Sequence, residues 1–462
     1  MSETTASPED EDLVLDEDDR MRPDFVREVV EDVREGRIED ACALVAELHP
    51  ADRADLIELA GPEDRPAIIT ALGSLIDADV YAEMNEHVRE LVIEEMEPED
   101  AADLASEMDT DDAVAVLEDL EPEDQQAILE RMEPDDRAAV EEALSYPEET
   151  AGRIMQRDLI AVPEHWQVGQ VIDYLRAGEE LTSDFWEVFV VGPQHHPVGT
   201  TKLSTLLRTQ RGVPITDIMQ EEQTLIPVDM DQEEVALKFQ KYALISAAVV
   251  DDSGRLVGMI TVDDIVHIIQ EEASEDTLLL SGAGEGDINE PVREAYSGRV
   301  RWLIANLGTA LLATLVIAQF EDTIARLAIL AALMPIVAAL GGNAGTQALA
   351  VTVRALATNQ LTGSNRGRAI RREGLVALMN GLTIAVILGA GVALVLDPMI
   401  GAVIAAAILF NILVAGLAGV LVPVVLDRFG ADPAVASSVF VTTVTDTMGF
   451  LAFLGLASAV LL

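Results

Sequence analysis

Ser297-Gly298-Arg299-Val300-Arg301-Trp302-Leu303-Ile304-Ala305-Asn306-Leu307 is where two unlike parts of this chain meet. Its 462 residues carry 29 Lys and Arg against 83 Asp and Glu, a formal charge of −54, yet 50% of them are hydrophobic. One domain is rarely both that acidic and that apolar. From Arg299 onward there are 9 basic and 7 acidic residues, while the preceding 298 hold 20 basic and 76 acidic. An intensely acidic aqueous portion therefore precedes a nearly neutral, oily one.

Downstream of this seam the sequence offers five apolar stretches: 302–319, 324–355, 375–396, 399–426 and 433–462. Each is long enough for a hydrocarbon core of about 30 Å, and the longer ones predict tilt. The second carries Gly341-Gly342-Asn343-Ala344-Gly345-Thr346-Gln347 and reads as an interrupted span. Arg293, Arg299 and Arg301 precede the first span; Arg354, Arg366, Arg368, Arg371 and Arg372 lie between the second and third. The opposite loops carry Glu321, Asp322 and Asp397, with Arg326 as the single basic residue. The positive-inside rule thus places the acidic portion in the cytoplasm and, after five crossings, the C-terminus outside a cell membrane. Residues 291–300 predict a helix running straight into the first span.

Upstream, a surface this negative repels phosphate backbones and excludes nucleic acid as a partner. Lysine is confined to Lys202, Lys238 and Lys241, while Asp and Glu are spread throughout. That composition is typical of proteins kept hydrated in concentrated brine, so most carboxylates read as surface. The single Cys42 excludes a disulfide framework or a cysteine zinc site, and none of the six histidines lies in the oily part. Residues 1–22 have no apolar signal core and read as a disordered acidic tail.

Pro50, Pro62, Pro98, Pro122 and Pro134 recur at multiples of 12 residues, in phrases such as Met96-Glu97-Pro98-Glu99-Asp100 and Met132-Glu133-Pro134-Asp135-Asp136; Thr110 fills a missing beat. Proline and acids both suit a first helical turn. Each unit predicts a short helix that buries its apolar face only by stacking on neighbours, a small helical solenoid. The texture then changes. Residues 150–208 and 213–269 each read as a lead-in, an amphipathic helix, two β-rich runs and a closing helix; in the second copy Asp251-Asp252-Ser253-Gly254 forms the hairpin turn. This pattern resembles a pair of CBS domains. Such pairs commonly dimerise and sense adenine nucleotides or ions, which leaves ATP in the CBS cleft as an open alternative.

The chemistry concentrates on Val441-Thr442-Thr443-Val444-Thr445-Asp446-Thr447-Met448-Gly449-Phe450. Asp446 falls about 20 Å along the last span at about 1.5 Å per residue. A carboxylate there costs about 2.5–3.5 kcal/mol on insertion scales. With no basic residue deep in any span, it must face a wet cavity, bind a cation or be protonated against hydroxyls such as Thr443 or Thr447. Asn343 and Gln347, four apart, share a helical face and add neutral oxygens. Carboxylate, amide and hydroxyl oxygens suit hard cations, Mg2+ above all; a lone Asp suits a hydrated ion, and two Asp446 side chains from two copies would offset its charge.

Gly341–Gln347, then Arg354-Ala355-Leu356-Ala357-Thr358, Asp432-Pro433-Ala434 and Thr445-Asp446 resemble the MgtE family of magnesium channels and transporters over nearly the whole chain. The resemblance implies a multidomain protein: a helical-repeat N-domain (23–146), an α/β CBS pair (147–209 and 210–272), a connector with a plug-like helix (273–300) and a five-helix transmembrane domain (301–462). It further implies a homodimer in membrane lipid. On that resemblance Asp446 would hold hydrated Mg2+ in the pore, with Asn343, Gln347 and Thr443 expected to line it, and cytosolic Mg2+ bound between the acidic domains would close the gate. The sensor residues implied are Glu99, Asp103, Asp231, Glu233, Asp264, Glu275, Asp276 and Asp432. His267 and Ala243 stand where the family pattern has carboxylates, and Ser438-Val439 replaces an Asn-Pro step.

An enzyme is the rival of a different kind. CBS pairs accompany some intramembrane metalloproteases, but those need His-Glu-x-x-His, and neither a P-loop nor a G-x-S-x-G beside a plausible triad is present. A Na+- or H+-coupled divalent-cation transporter, or a Co2+- or Mn2+-permeable homologue, is the closer alternative.

Overall fold

The computed structural model describes residues 14–17, 20–118, 120–177, 185–281 and 288–462. Most of the expected acidic tail lies outside these residues. Its remaining part is not free chain, because Leu15 pairs with Met21, which is buried, and Val14 and Leu15 pack on the neighbouring core. Two apolar positions and a buried methionine suffice to tie residues 14–17 and 20–22 down. The chain divides into two compact units, 1–269 and 270–462.

The first unit begins with a helical array: α1 (Pro23–Arg34), α2 (Ile38–Val45), α3 (Pro50–Leu59), α4 (Arg65–Leu72), α5 (Ala78–Ala82), α6 (Glu86–Glu94), α7 (Pro98–Glu107), α8 (Thr110–Glu118), α9 (Pro122–Leu129) and α10 (Pro134–Leu144). Helices start at Pro50, Pro98, Thr110, Pro122 and Pro134 as the 12-residue beat predicts, and Glu86 fills another beat. Pro62 is the exception: α4 opens at Arg65. A helix begun at Pro62 would need an N–H from Pro66, which has none; starting at Arg65 puts Pro66 in the first turn, where none is required. Leu56, Ile57, Ile68, Val80, Val88 and Leu117 are fully buried, so the short helices share one core, as stacked repeats must.

Two three-stranded sheets follow, each with a short parallel strand that the sequence did not signal. β1 (Ala161–Pro163), α11 (Val168–Ala177), β2 (Glu187–Val191), β3 (Pro197–Lys202) and α12 (Leu203–Arg208) form the first motif. β4 (Leu225–Pro227), α13 (Gln232–Tyr242), β5 (Ser246–Val250), β6 (Leu256–Thr261) and α14 (Val262–Ser281) form the second. In both, the order is a parallel pair followed by an antiparallel hairpin. The lead-ins cross over: Gln156 pairs with Met259 on β6, and Gln220 with Thr200 on β3. Phe189, Val191, Ala248, Leu256 and Met259 form a buried cluster joining the motifs. The closing helix, expected to end at Ile269, continues to Ser281 and takes up the first part of the expected connector.

The second unit holds five helices long and apolar enough to cross a membrane. They are α15 (Val292–Ala318), α17 (Ile329–Ala357), α18 (Arg366–Val395), α19 (Pro398–Arg428) and α20 (Pro433–Leu461), with a short α16 (Glu321–Arg326) in the first loop. α15 runs from the expected pre-membrane helix into the first span without a break. α17 corrects the expectation of an interrupted span: it is helical through Gly341–Gln347. In hydrocarbon every backbone group must be paired internally, which favours an unbroken helix. Gly341 and Gly345 serve close approach instead, Gly341 against Asn411 and Gly345 against Val441 and Thr445. α19 packs on α17, α18 and α20 and forms the centre of the core. Leu279 and Leu280, at the end of α14, pack with Leu349, Val353, Ala434 and Val441.

Candidate functional site

Asp432 opens α20 as its cap, accepting from Ala434 N at 2.7 Å, and Pro433 occupies the first turn. The helix then runs unbroken past Asp446, thirteen residues on, and places that carboxylate mid-span. Asp446 is half-buried, and among the described residues no hydrogen bond or ion pair reaches it. Two basic side chains of this unit pair with acids nearer the helix ends: Arg366 with Asp427 at 2.6 Å and Arg372 with Glu373 at 2.6 Å. Thr443 and Thr445 are turned to their own helix, Thr443 Oγ1 donating to Val439 O at 2.6 Å and Thr445 Oγ1 to Thr442 O at 3.0 Å, whereas Thr447 Oγ1 is buried without a partner among the described residues. Thr443 thus spends its proton on the backbone and keeps oxygen lone pairs, the part a hydrated cation would use. An anionic acceptor with no protein donor suits a cation whose bound waters supply the donors.

The neutral residues expected beside Asp446 are only partly gathered there. Asn343 and Gln347 are both exposed on α17, unusual for amides on a membrane helix unless water or protein covers that face. Gln347 lines a small cavity with Arg372, Glu373 and Asn380, and Asp446 is not among its lining residues. Glu373, one of only two acids within α18 and α19, is buried. Neither Glu373 nor Asn411, a fully buried amide on α19, was singled out in the sequence. A lone Asn inside Ile408-Leu409-Phe410-Asn411-Ile412 was the available signal for the second.

In the first unit, the implied sensor acids meet different fates. Asp231 caps α13, its Oδ1 accepting from Glu233 N at 2.9 Å. Asp264 opens α14, and its Oδ2 accepts from Thr261 Oγ1 at 2.5 Å and Gln156 Nε2 at 3.2 Å. Glu99 and Asp103 are exposed. The N-domain acids that confront Asp264 are instead Asp109, Asp111 and Asp112, at the start of α8. Asp111 stands one 12-residue repeat after Glu99, in the next acidic phrase of the series. Of the rest, Glu275 is exposed, Asp432 is exposed but committed to capping, and the side chain of Asp276 lies outside the described residues.

Burial, reinforced by Asp264, raises the Asp111 carboxyl well above its ordinary value, and its Oδ1 is buried without a partner among the described residues. Burial first and neighbouring acids next push Asp112 and Asp264 up to about 6. Among the described residues no three His, Cys, Asp or Glu side chains converge into a complete metal site. The cluster is therefore a repulsive contact that a divalent cation or protons would relieve. The sign follows directly. Carboxyls raised in the packed form stabilise it at acid pH, and that contribution is lost as pH rises through about 6. Without Mg2+, limited proteolysis of the full chain should thus be slower at pH 5 than at pH 7.5. Asp264→Asn should reduce the difference, because it removes one raised carboxyl and the charge that reinforces burial at the other two; equal cleavage at both pH values in the parent chain would contradict this assignment.

Residues 334–456 match the family model described as "Divalent cation transporter", residues 48–149 the "MgtE intracellular N domain" and residues 215–271 the "CBS domain". The chain is 35% identical over 321 residues to "Magnesium transporter MgtE" of Enterococcus faecalis, covering 69% of this chain and 70% of that one. To the protein of the same name from Thermus thermophilus it is 31% identical over 325 residues, covering 69% and 72%. Among solved structures, it is similar to the crystal structure of the soluble part of a magnesium transporter at 27% identity, with a TM-score of 0.48, covering 54% of this chain and 98% of that one. It is also similar to the cytosolic domain of the Mg2+ channel MgtE in complex with ATP at 26% identity, with a TM-score of 0.49, covering 53% and 99%.

Proposed function

The chain belongs to the MgtE family of magnesium transporters, and from that premise we propose that it conducts hydrated Mg2+ across the cell membrane past Asp446. The observation that carries this reading is a carboxylate midway along α20 with no protein partner among the described residues. Two copies pairing along a face that includes Asp446, Asn343 and Gln347 would cover polar groups otherwise left to lipid, and would set two negative charges around one divalent ion. The arginines near the 357–366 loop and in the first turns of α15 support a cytoplasmic N-terminal portion and an external C-terminus.

The same chemistry supplies the gate. At low cytosolic Mg2+ the Asp109, Asp111, Asp112 and Asp264 carboxylates repel; Mg2+ between them favours the packed arrangement, which we assign to the closed state. Differential affinity for that state sets the size of the shift. In concentrated salt, through-space repulsion is heavily screened, so direct coordination carries more of the switch.

The test is Mg2+ uptake into proteoliposomes of the full chain under an imposed Mg2+ gradient, with Na+ and H+ gradients absent. Passive uptake should follow the Mg2+ gradient and stop when it is abolished. Uptake that demands a Na+ or H+ gradient would replace the channel reading with coupled transport.

A further inference from the structure

Asn411 lies midway along α19, only 1% exposed, in an otherwise apolar stretch. Its Nδ2 donates to Val337 O of α17 at 3.0 Å. A carbonyl can only accept, so this bond fixes which end of the amide faces α17. The other end, Oδ1, is buried without a partner among the described residues. An amide in such surroundings carries a desolvation cost that one hydrogen bond offsets only in part.

Two glycines make its place. A Cβ on Gly341 of α17 would stand 2.1 Å from Asn411 Nδ2, and one on Gly449 of α20 would stand 2.5 Å from it. Both distances are far inside contact, so the amide occupies the volume that two side chains would otherwise take. Gly341 begins the Gly341–Gln347 motif, and Gly449 is three residues, nearly one turn, beyond Asp446. One side chain therefore sits in the notch where the helix bearing the amide motif and the helix bearing the carboxylate both meet α19.

We propose that Asn411 is a positioning residue for ion permeation: tethered to Val337 O and seated against Gly449, it sets the rotation of α20 that aims Asp446 along the ion path. This rests on the reading of Asp446 given above. A leucine fills nearly the same volume and satisfies packing without the tether. Without the bond to Val337 O the side chain at 411 is no longer pinned against Gly449, so the contact that sets the rotation of α20 is loosened, and a turn of one residue carries a mid-helix side chain through about 100°.

The test compares Asn411→Leu, Gly449→Ala, the Asn411→Ala/Gly449→Ala pair and Asp446→Asn in proteoliposomes. Each variant is measured for initial Mg2+ uptake against Mg2+ concentration, for discrimination between Mg2+ and Ca2+, and for thermal midpoint in detergent. The leucine variant should keep its thermal midpoint, yet show at least about a fivefold higher half-saturating Mg2+, of the order expected for one lost hydrogen bond, and weaker discrimination against Ca2+. Gly449→Ala alone should lose both stability and uptake. In the pair, the new methyl group fits the space the amide vacated, so stability should return but affinity and discrimination should not. Should the leucine variant fail to fold, the pair decides. Wild-type half-saturation and discrimination in Asn411→Leu or in the Asn411→Ala/Gly449→Ala pair would overturn the proposal, leaving Asn411 a packing residue. Unchanged uptake in Asp446→Asn would instead remove the reading on which the proposal rests.

Discussion

Asp446→Asn should reduce Mg2+ uptake by about 100-fold or more while leaving the protein folded. A hydrated divalent ion held about 5 Å from a carboxylate gains several kcal/mol at an effective dielectric near 20, and each 1.4 kcal/mol is about a factor of ten in affinity. Asparagine keeps the shape and an oxygen but removes the charge. It also removes the cost of holding an unpaired anion mid-span. The thermal midpoint should therefore stay the same or rise as transport disappears, a combination that a folding defect does not produce. The measurement is uptake and melting on one preparation. Retained uptake at wild-type half-saturation would mean that Asp446 does not line the path.

Gly419→Ala should destabilise the membrane unit by about 1–3 kcal/mol, the usual cost of overpacking. A Cβ there would stand 2.7 Å from both Ala348 Cβ and Gly345 O and 2.9 Å from Leu349 N. Two of those atoms are backbone and cannot swing aside, so α17 and α19 must separate. Gly342→Ala is the matched control, because a Cβ there meets nothing within 4 Å. Alanine is the better helix former by about 1 kcal/mol, so this substitution should be neutral or stabilising. Thermal midpoints in detergent read both. A Gly419→Ala midpoint equal to that of Gly342→Ala would show that the helices are not held at this spacing.

What the sequence disclosed depended on the range over which each feature is determined. The five spans and the 12-residue beat are set by local composition and periodicity, and they lie in the structure close to where hydropathy and proline spacing put them, whereas the division into compact units falls at 269/270, upstream of the seam in composition at Arg299. The hairpin at Asp251–Gly254 is equally local: Asp251 Oδ1 accepts from Ser253 N and Arg255 N at 2.9 and 2.8 Å. β1 and β4, three residues each, exist only because longer strands lie beside them, and nothing within them announces a strand. The site divides in the same way. Asp446 was legible because charge in an apolar run is expensive wherever the run goes. Asp111 and Asp112 were not, since a repeat offers several equivalent acidic phrases and only tertiary packing selects the one that confronts Asp264. Asn411 was missed because its significance lies in Gly341 and Gly449, far away in sequence and brought to it only by helix crossing.

The exchanged lead-ins of the two CBS motifs bear on how this part of the chain can be cut or inherited. Gln156 is bonded on both sides to Met259, at 2.8 and 2.9 Å, and Gln220 likewise to Thr200, at 2.8 and 3.1 Å. Each sheet is thus finished by a segment belonging to the other half, and severing the chain near residue 209 would strip both of a border. A lone half would present bare strand backbone to any neighbour, an invitation to aggregate. The pair should melt as a single transition and be recombined only as a whole, so the indivisible module here is the doublet.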